Sequence, residues 1–251
     1  MGKIIAVTSG KGGTGKTTAV AAVSSCLAAL GHRTLCIDMD TGLSNLDLAL
    51  GMPEFAIADF TDVLSGEMDI DDACCECPDI KNLFFLGAPV DSTQKKLERP
   101  QVKNMFKSIR KKFDFCLLDL PAGIGEHFKS VVSLVDTVLI VTVCELPAIK
   151  CAQKTAETAR EFRARDLKLL INRAQAKRLK QLNTTIDDVI DISAVQLVGV
   201  AAEDKAVCLA LHNGTPLVLQ KGQHVGYDFL DVARRLTGED VPTSHKRRKK
   251  K

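Results

Sequence analysis

Ser9-Gly10-Lys11-Gly12-Gly13-Thr14-Gly15-Lys16-Thr17-Thr18 is the stretch that decides the fold. An apolar run, Ile4-Ile5-Ala6-Val7, precedes it and an Ala- and Val-rich segment to Leu30 follows, so the order is buried strand, glycine loop, helix. Gly10, Gly15, Lys16 and Thr17 fill the pattern G-x-x-x-x-G-K-T in the strand-to-helix setting a phosphate-binding loop requires. Glycines let successive backbone N–H groups turn inward with no Cβ in the way, and the helix starting near Lys16 adds the positive end of its dipole. Gly12, Gly13, Thr14, Gly15, Lys16, Thr17 and Thr18 are the expected cradle, with Lys16 on the β- and γ-phosphates and the Thr17 hydroxyl on Mg²⁺.

Two carboxylate landmarks lie further on. The strand Arg33-Thr34-Leu35-Cys36-Ile37 closes on Asp38-Met39-Asp40, and the apolar run from Phe113 to Leu118 ends in Asp119. Open parallel sheets bind ligands at the carboxyl ends of their strands, so these acids face the same edge as the glycine loop. Asp119 fits the carboxylate that holds Mg²⁺, and Gly123 beyond it is free to swing its N–H toward a phosphate.

Lys11 adds a cation that one nucleotide bound in cis does not need. The run Lys11 to Thr18 resembles the deviant Walker A box of the MinD/ParA group of ATPases, in which the early lysine reaches across a dimer to the partner's phosphates. Asp38 to Asp47, D-x-D-x-G-L-x-N-L-D, and Asp119 to Ile124, D-x-P-A-G-I, are similar to the two switch segments of the MinD branch. The resemblance implies that Lys11 acts in trans, as an arginine finger does. It also implies that Asp40 places the attacking water, Asp38 orders the Mg²⁺ hydration shell and Asn45 contacts the nucleotide near the dimer face. Asn172-Arg173 matches the pair that binds adenine, and an amide that both donates and accepts would favour ATP. Three departures stand out: Ser44 replaces an arginine, Ala202 replaces a proline in Gly199-Val200-Ala201-Ala202-Glu203-Asp204, and no amphipathic helix closes the chain.

The expected fold is a doubly wound, mainly parallel α/β domain over residues 1–238, followed by a disordered polybasic tail, 239–251. Further strands are expected at Leu83–Leu86, Thr137–Val143, Leu167–Ile171 and Val195–Val200. Helices are expected at Ile57–Leu64, Val102–Arg110, Pro147–Arg163 and Val225–Leu236, with another beginning near Thr184-Thr185. Of the 34 basic residues, six form the closing run Lys246–Lys251, which leaves the body slightly acidic against 31 Asp and Glu. That run can be drawn to anionic lipid or to nucleic acid. Lys103, Lys107, Arg110, Lys111 and Lys112 form either a patch for DNA or an acidic partner, or the wet face of a helix.

Met1-Gly2-Lys3 runs straight into the first strand with no signal peptide, which points to a cytoplasmic protein, peripheral at most on a membrane. The nine cysteines are an odd number set largely in apolar patterns, against a disulfide framework. Cys74-Cys75-Glu76-Cys77 reads as a loop whose spacing is incomplete for a metal. The function implied is an ATP-binding and hydrolysing dimerisation switch regulating division-site placement, with slow, partner-stimulated hydrolysis and a Min-type inhibitor or activator as partner. A partition factor that binds DNA without sequence preference, a flagellar-number regulator and a metal-cluster scaffold are the alternatives.

Overall fold

The computed structural model describes residues 1–41, 45–52, 58–89, 97–220 and 224–242. In the first half, β1 (Lys3–Thr8), α1 (Lys16–Ala29), β2 (Thr34–Asp38), α2 (Leu46–Ala49), α3 (Phe60–Ser65), α4 (Ile70–Ala73), β3 (Cys75–Glu76), β4 (Leu83–Leu86), α5 (Arg99–Lys112) and β5 (Phe115–Asp119) follow one another. The second half runs α6 (Glu126–Val131), β6 (Thr137–Thr142), α7 (Leu146–Glu161), β7 (Leu167–Ala174), α8 (Ala176–Leu182), α9 (Ile186–Ser193), β8 (Gln196–Ala202), α10 (Lys205–His212) and α11 (Val225–Thr237). The eight strands form one sheet in the order β3-β4-β2-β5-β1-β6-β7-β8, parallel except for β3. This is the doubly wound α/β fold read from the sequence.

Burial on both faces explains the near-continuous apolar strands. In β1, Ile4 and Ala6 join the core beneath α5 and α7, while Ile5 and Val7 join the core beneath α1 and α11. Period-2 alternation thus feeds two cores from one strand. The α1 helix ends as expected, with Gly31 at φ +95° just past its C-terminus.

Connectivity fixes where a ligand can sit. The chain leaves β1 toward β2 and β5 on one side and later builds β6, β7 and β8 on the other, so strand order reverses at β1. Register then brings the acids together: Asp38 lies opposite Asp119, and Val7 of β1 lies opposite Asp119 from the other side.

Four local expectations change. The helix expected from Ile57 starts at Phe60, because Asp59 and Asp62 form a reciprocal capping box; Ile57 itself lies outside the described residues. The cysteine-rich segment is not a loop throughout: Cys75-Glu76 pairs antiparallel with Phe84-Phe85, and Cys77 is buried with its Sγ 3.8 Å from the Leu50 carbonyl. Strand β7 runs past Ile171 to Ala174, so Asn172-Arg173 belongs to the strand. On α5, Arg110 turns inward to Asp136 and the carbonyls of Gly2 and Leu134, and Lys112 pairs with Asp71 at 2.5 Å, so neither belongs to a basic patch. Ser44 and the run Lys246–Lys251 lie outside the described residues. Among those described, no helix is long and apolar enough to cross a membrane.

Candidate active site

Strand β1 delivers the glycine loop to the carboxyl edge of the sheet, and Gly15, in the left-handed region at φ +82°, turns the chain into α1. A Cβ at Gly15 would lie 2.3 Å from Asn172 Nδ2, and one at Gly10 2.5 Å from the Cys151 carbonyl, so the loop is packed on two sides. At Gly12 and Gly13 a Cβ would meet nothing within 4 Å. That open side leaves room for a phosphate chain, and the neighbouring Thr14 hydroxyl is buried with no hydrogen-bond partner among the described residues.

Lys16 is buried and its Nζ lies 2.5 Å from Asp119 Oδ1 and 4.0 Å from Asp40 Oδ2. Asp119 is 1% exposed; burial pushes its carboxyl above the ordinary range, while the Lys16 charge pulls it down. Its second oxygen, Oδ2, has no hydrogen-bond partner among the described residues, although the Thr17 side chain interacts with the carboxylate and helps lower its pKa. An orphaned carboxylate oxygen beside a threonine-bearing helix start is a hard-oxygen donor set that suits Mg²⁺. Asp38, also buried, accepts the Asp40 N–H at 2.9 Å and so fixes the backbone that carries Asp40. Asn45 stands immediately before α2 as its N-cap.

Gly123 sits at φ +96° and donates its N–H to the Ser9 carbonyl at 2.7 Å. The sequence leaves that N–H free to approach a phosphate; in the structure it is committed to the root of the glycine loop, and reaching a phosphate requires this bond to break.

On the far side of the loop, Asn172 Nδ2 donates to the Thr14 carbonyl at 2.9 Å and Arg173 to the Gly13 carbonyl at 3.3 Å. Arg173 also forks onto Glu203 at 2.7 and 3.2 Å. These residues line a cavity of about 250 Å³ with Gly15, Thr18, Val207, Cys208 and Leu211. Its outer wall is α10, which the sequence reading missed; Asp204, accepting the Ala206 N–H at 2.9 Å, was its capping signal.

Lys11 stands apart. Its side chain is 49% exposed, against 8% for Lys16, and its Nζ lies 3.9 Å from Glu145, which also holds Arg178 at 2.5 Å. Glu145 and Arg178 were not anticipated. Glu145 follows the carboxyl end of β6, so the edge rule that selects Asp38 and Asp119 selects it too.

Comparison with known proteins gives a consistent result. A family model described as an AAA domain matches residues 2–172. A septum site-determining protein MinD of Synechocystis is 35% identical over 245 residues, 96% of this chain and 92% of the relative. Among solved structures, the MinC:MinD cell division protein complex of Aquifex aeolicus matches at TM-score 0.89 and 31% identity, covering 97% of this chain and 98% of that one. The septum site-determining protein MinD of Pyrococcus horikoshii complexed with Mg-ADP matches at TM-score 0.81 and 28% identity, with 94% and 96% covered.

Proposed function

This chain belongs to the MinD family of septum site-determining ATPases, and from that premise we propose that it is a slow ATPase switch, which dimerises on ATP and recruits a Min-type partner until stimulated hydrolysis resets it. The observation that carries the reading is the contrast between the two lysines of one loop: Lys16 is sequestered among carboxylates, while Lys11 is half exposed and, among the described residues, ion-paired with Glu145 alone.

Each residue then has a task. The N–H groups from Gly12 to Thr18 cradle the phosphates, and Lys16 leaves Asp119 to meet them. Asn172 and Arg173 hold the base in the cavity under α10. Thr17, Asp38 and Asp119 would hold Mg²⁺, which when bound draws charge from the phosphate oxygens. Asp40 accepts a hydrogen bond from water and aims it at the terminal phosphate, its backbone steadied by Asp38. Gly123 exchanges the Ser9 carbonyl for phosphate, which couples the nucleotide to the segment Leu120–Ile124 and on to Asn45 at the dimer face. Lys11 leaves Glu145 for the phosphates of the second copy, where it offsets charge that spreads in phosphoryl transfer. We assign this machinery to a domain spanning 1–238. The run Lys246–Lys251 supplies a cytoplasmic protein with a peripheral, electrostatic attachment to anionic lipid, at about 1 kcal/mol per charge near the surface.

Lys11→Ala tests the switch. ATP and ADP binding should stay within about threefold of wild type while the ATP-induced dimer, read by light scattering, disappears; a normal ATP dimer in this variant overturns the trans role.

A further inference from the structure

The outer face of α5 takes no part in the proposed nucleotide switch. The helix Arg99–Lys112, RPQVKNMFKSIRKK, carries six basic residues and no acidic one. Its inner face, Val102, Met105, Phe106 and Ile109, is buried in the core. Arg110 and Lys112 are spent on Asp136 and Asp71, and Arg99 donates to the Ser133 hydroxyl at 2.8 Å. Lys103, Lys107 and Lys111 remain, exposed and without an ion pair among the described residues. They stand four residues apart and continue the line begun by Arg99. Like charges at this spacing repel one another, so the row gives the isolated helix nothing.

We propose that this row docks on the phosphate backbone of duplex DNA. Each four-residue step advances about 6 Å along the helix and turns about 40° around it, so from Arg99 to Lys111 the cations wind through about 120°. A winding row can follow a curved strand of phosphates, whereas a flat lipid surface meets only part of it. Along the row, exposed Gln101 and Asn104 and half-buried Ser108 are neutral donors of the kind that contact phosphates. Both phenylalanines near the row, Phe106 and Phe113, are buried, so no ring is offered to the bases and the contact is blind to sequence. The neighbouring acids of α4 limit the row at one end, where Asp71 already binds Lys112 and Arg33.

The test compares the full chain with the triple variant Lys103→Gln, Lys107→Gln, Lys111→Gln and a triple arginine control. Binding to a labelled duplex of mixed sequence is measured without nucleotide, so the outcome does not depend on the ATPase reading. Wild type should lose affinity as salt rises, and the glutamine variant should show a log–log slope smaller by about 2.7, which means wild type loses about 40-fold more affinity between 50 and 200 mM salt. The arginine control should keep the wild-type slope, with ATP hydrolysis equal in all three. No duplex binding by wild type, an unchanged slope in the glutamine variant, or a loss confined to phosphatidylserine vesicles would each overturn the proposal.

Discussion

The Nζ of Lys16 lies 2.5 Å from Oδ1 of Asp119, and the other carboxylate oxygen is buried without a hydrogen-bond partner among the described residues. Burial raises the Asp119 pKa despite that lysine. A carboxyl whose pKa is higher in the folded chain than in the unfolded one favours folding while protonated, and that advantage is lost as pH rises through the folded value. The window opens at the unfolded pKa of about 3.9. Asp119→Asn removes the titration. Without nucleotide or metal, the melting temperature of Asp119→Asn minus that of wild type should therefore grow as pH rises above about 4 and level off once the folded value is passed. A gap that stays flat or shrinks as pH rises from about 4 contradicts the raised pKa.

Two glycines of the loop should respond differently to alanine. At Gly12 a Cβ meets nothing within 4 Å among the described residues, so Gly12→Ala should change the stability of the nucleotide-free chain by less than about 0.5 kcal/mol. It should nonetheless weaken ATP about tenfold or more, because the methyl enters the space of the phosphates. Gly15→Ala meets Asn172 Nδ2 and a left-handed backbone that costs about 1–2 kcal/mol, so it should lose stability as well as binding. Equal losses of stability in the two variants would place the open side of the loop elsewhere.

The thiols test whether the cavity under α10 holds the base. Burial pushes Cys26 and Cys36 up to about 12, which makes them poor nucleophiles, whereas Cys208 is exposed on the cavity wall with Asn172 and Arg173. Peptide mapping after iodoacetamide should find Cys208 modified well before Cys26 or Cys36. MgATP should slow labelling of Cys208 about tenfold. An unprotected Cys208 would mean that the base lies outside this cavity.

These residues were not equally legible in the chain. The glycine loop, Asp38, Asp40 and Asp119 announce themselves because each ends an apolar strand, and strand ends at one sheet edge converge whatever lies between them. Glu145 and Cys208 carry no such local signature. Their position follows from β6 lying next to β1 and from α10 folding back over the loop, which are relations between distant segments. The fate of the α5 cations was hidden for the same reason: nothing within the helix distinguishes Arg110, which reaches Asp136, from Lys107, which faces solvent.

Ala202 shows how a departure from a family pattern can be compensated. Its resemblance to the family loop suggests that a proline is missing and the loop loosened. In the structure the Ala202 N–H donates to Asp228 Oδ2 at 3.0 Å, tying the end of β8 to α11, while the next residue, Glu203, holds Arg173 beside the cavity under α10. A proline at 202 has no N–H to give. Ala202→Pro should therefore destabilise the chain by about 1 kcal/mol, a fall of about 2–4 °C in Tm, although the ring stiffens the loop. The same substitution in an Asp228→Ala background should cost much less, because the acceptor is already gone. If the drop is the same in both backgrounds, the hydrogen bond to Asp228 is not what replaces the proline, and the strain of the ring in the last position of β8 becomes the cause.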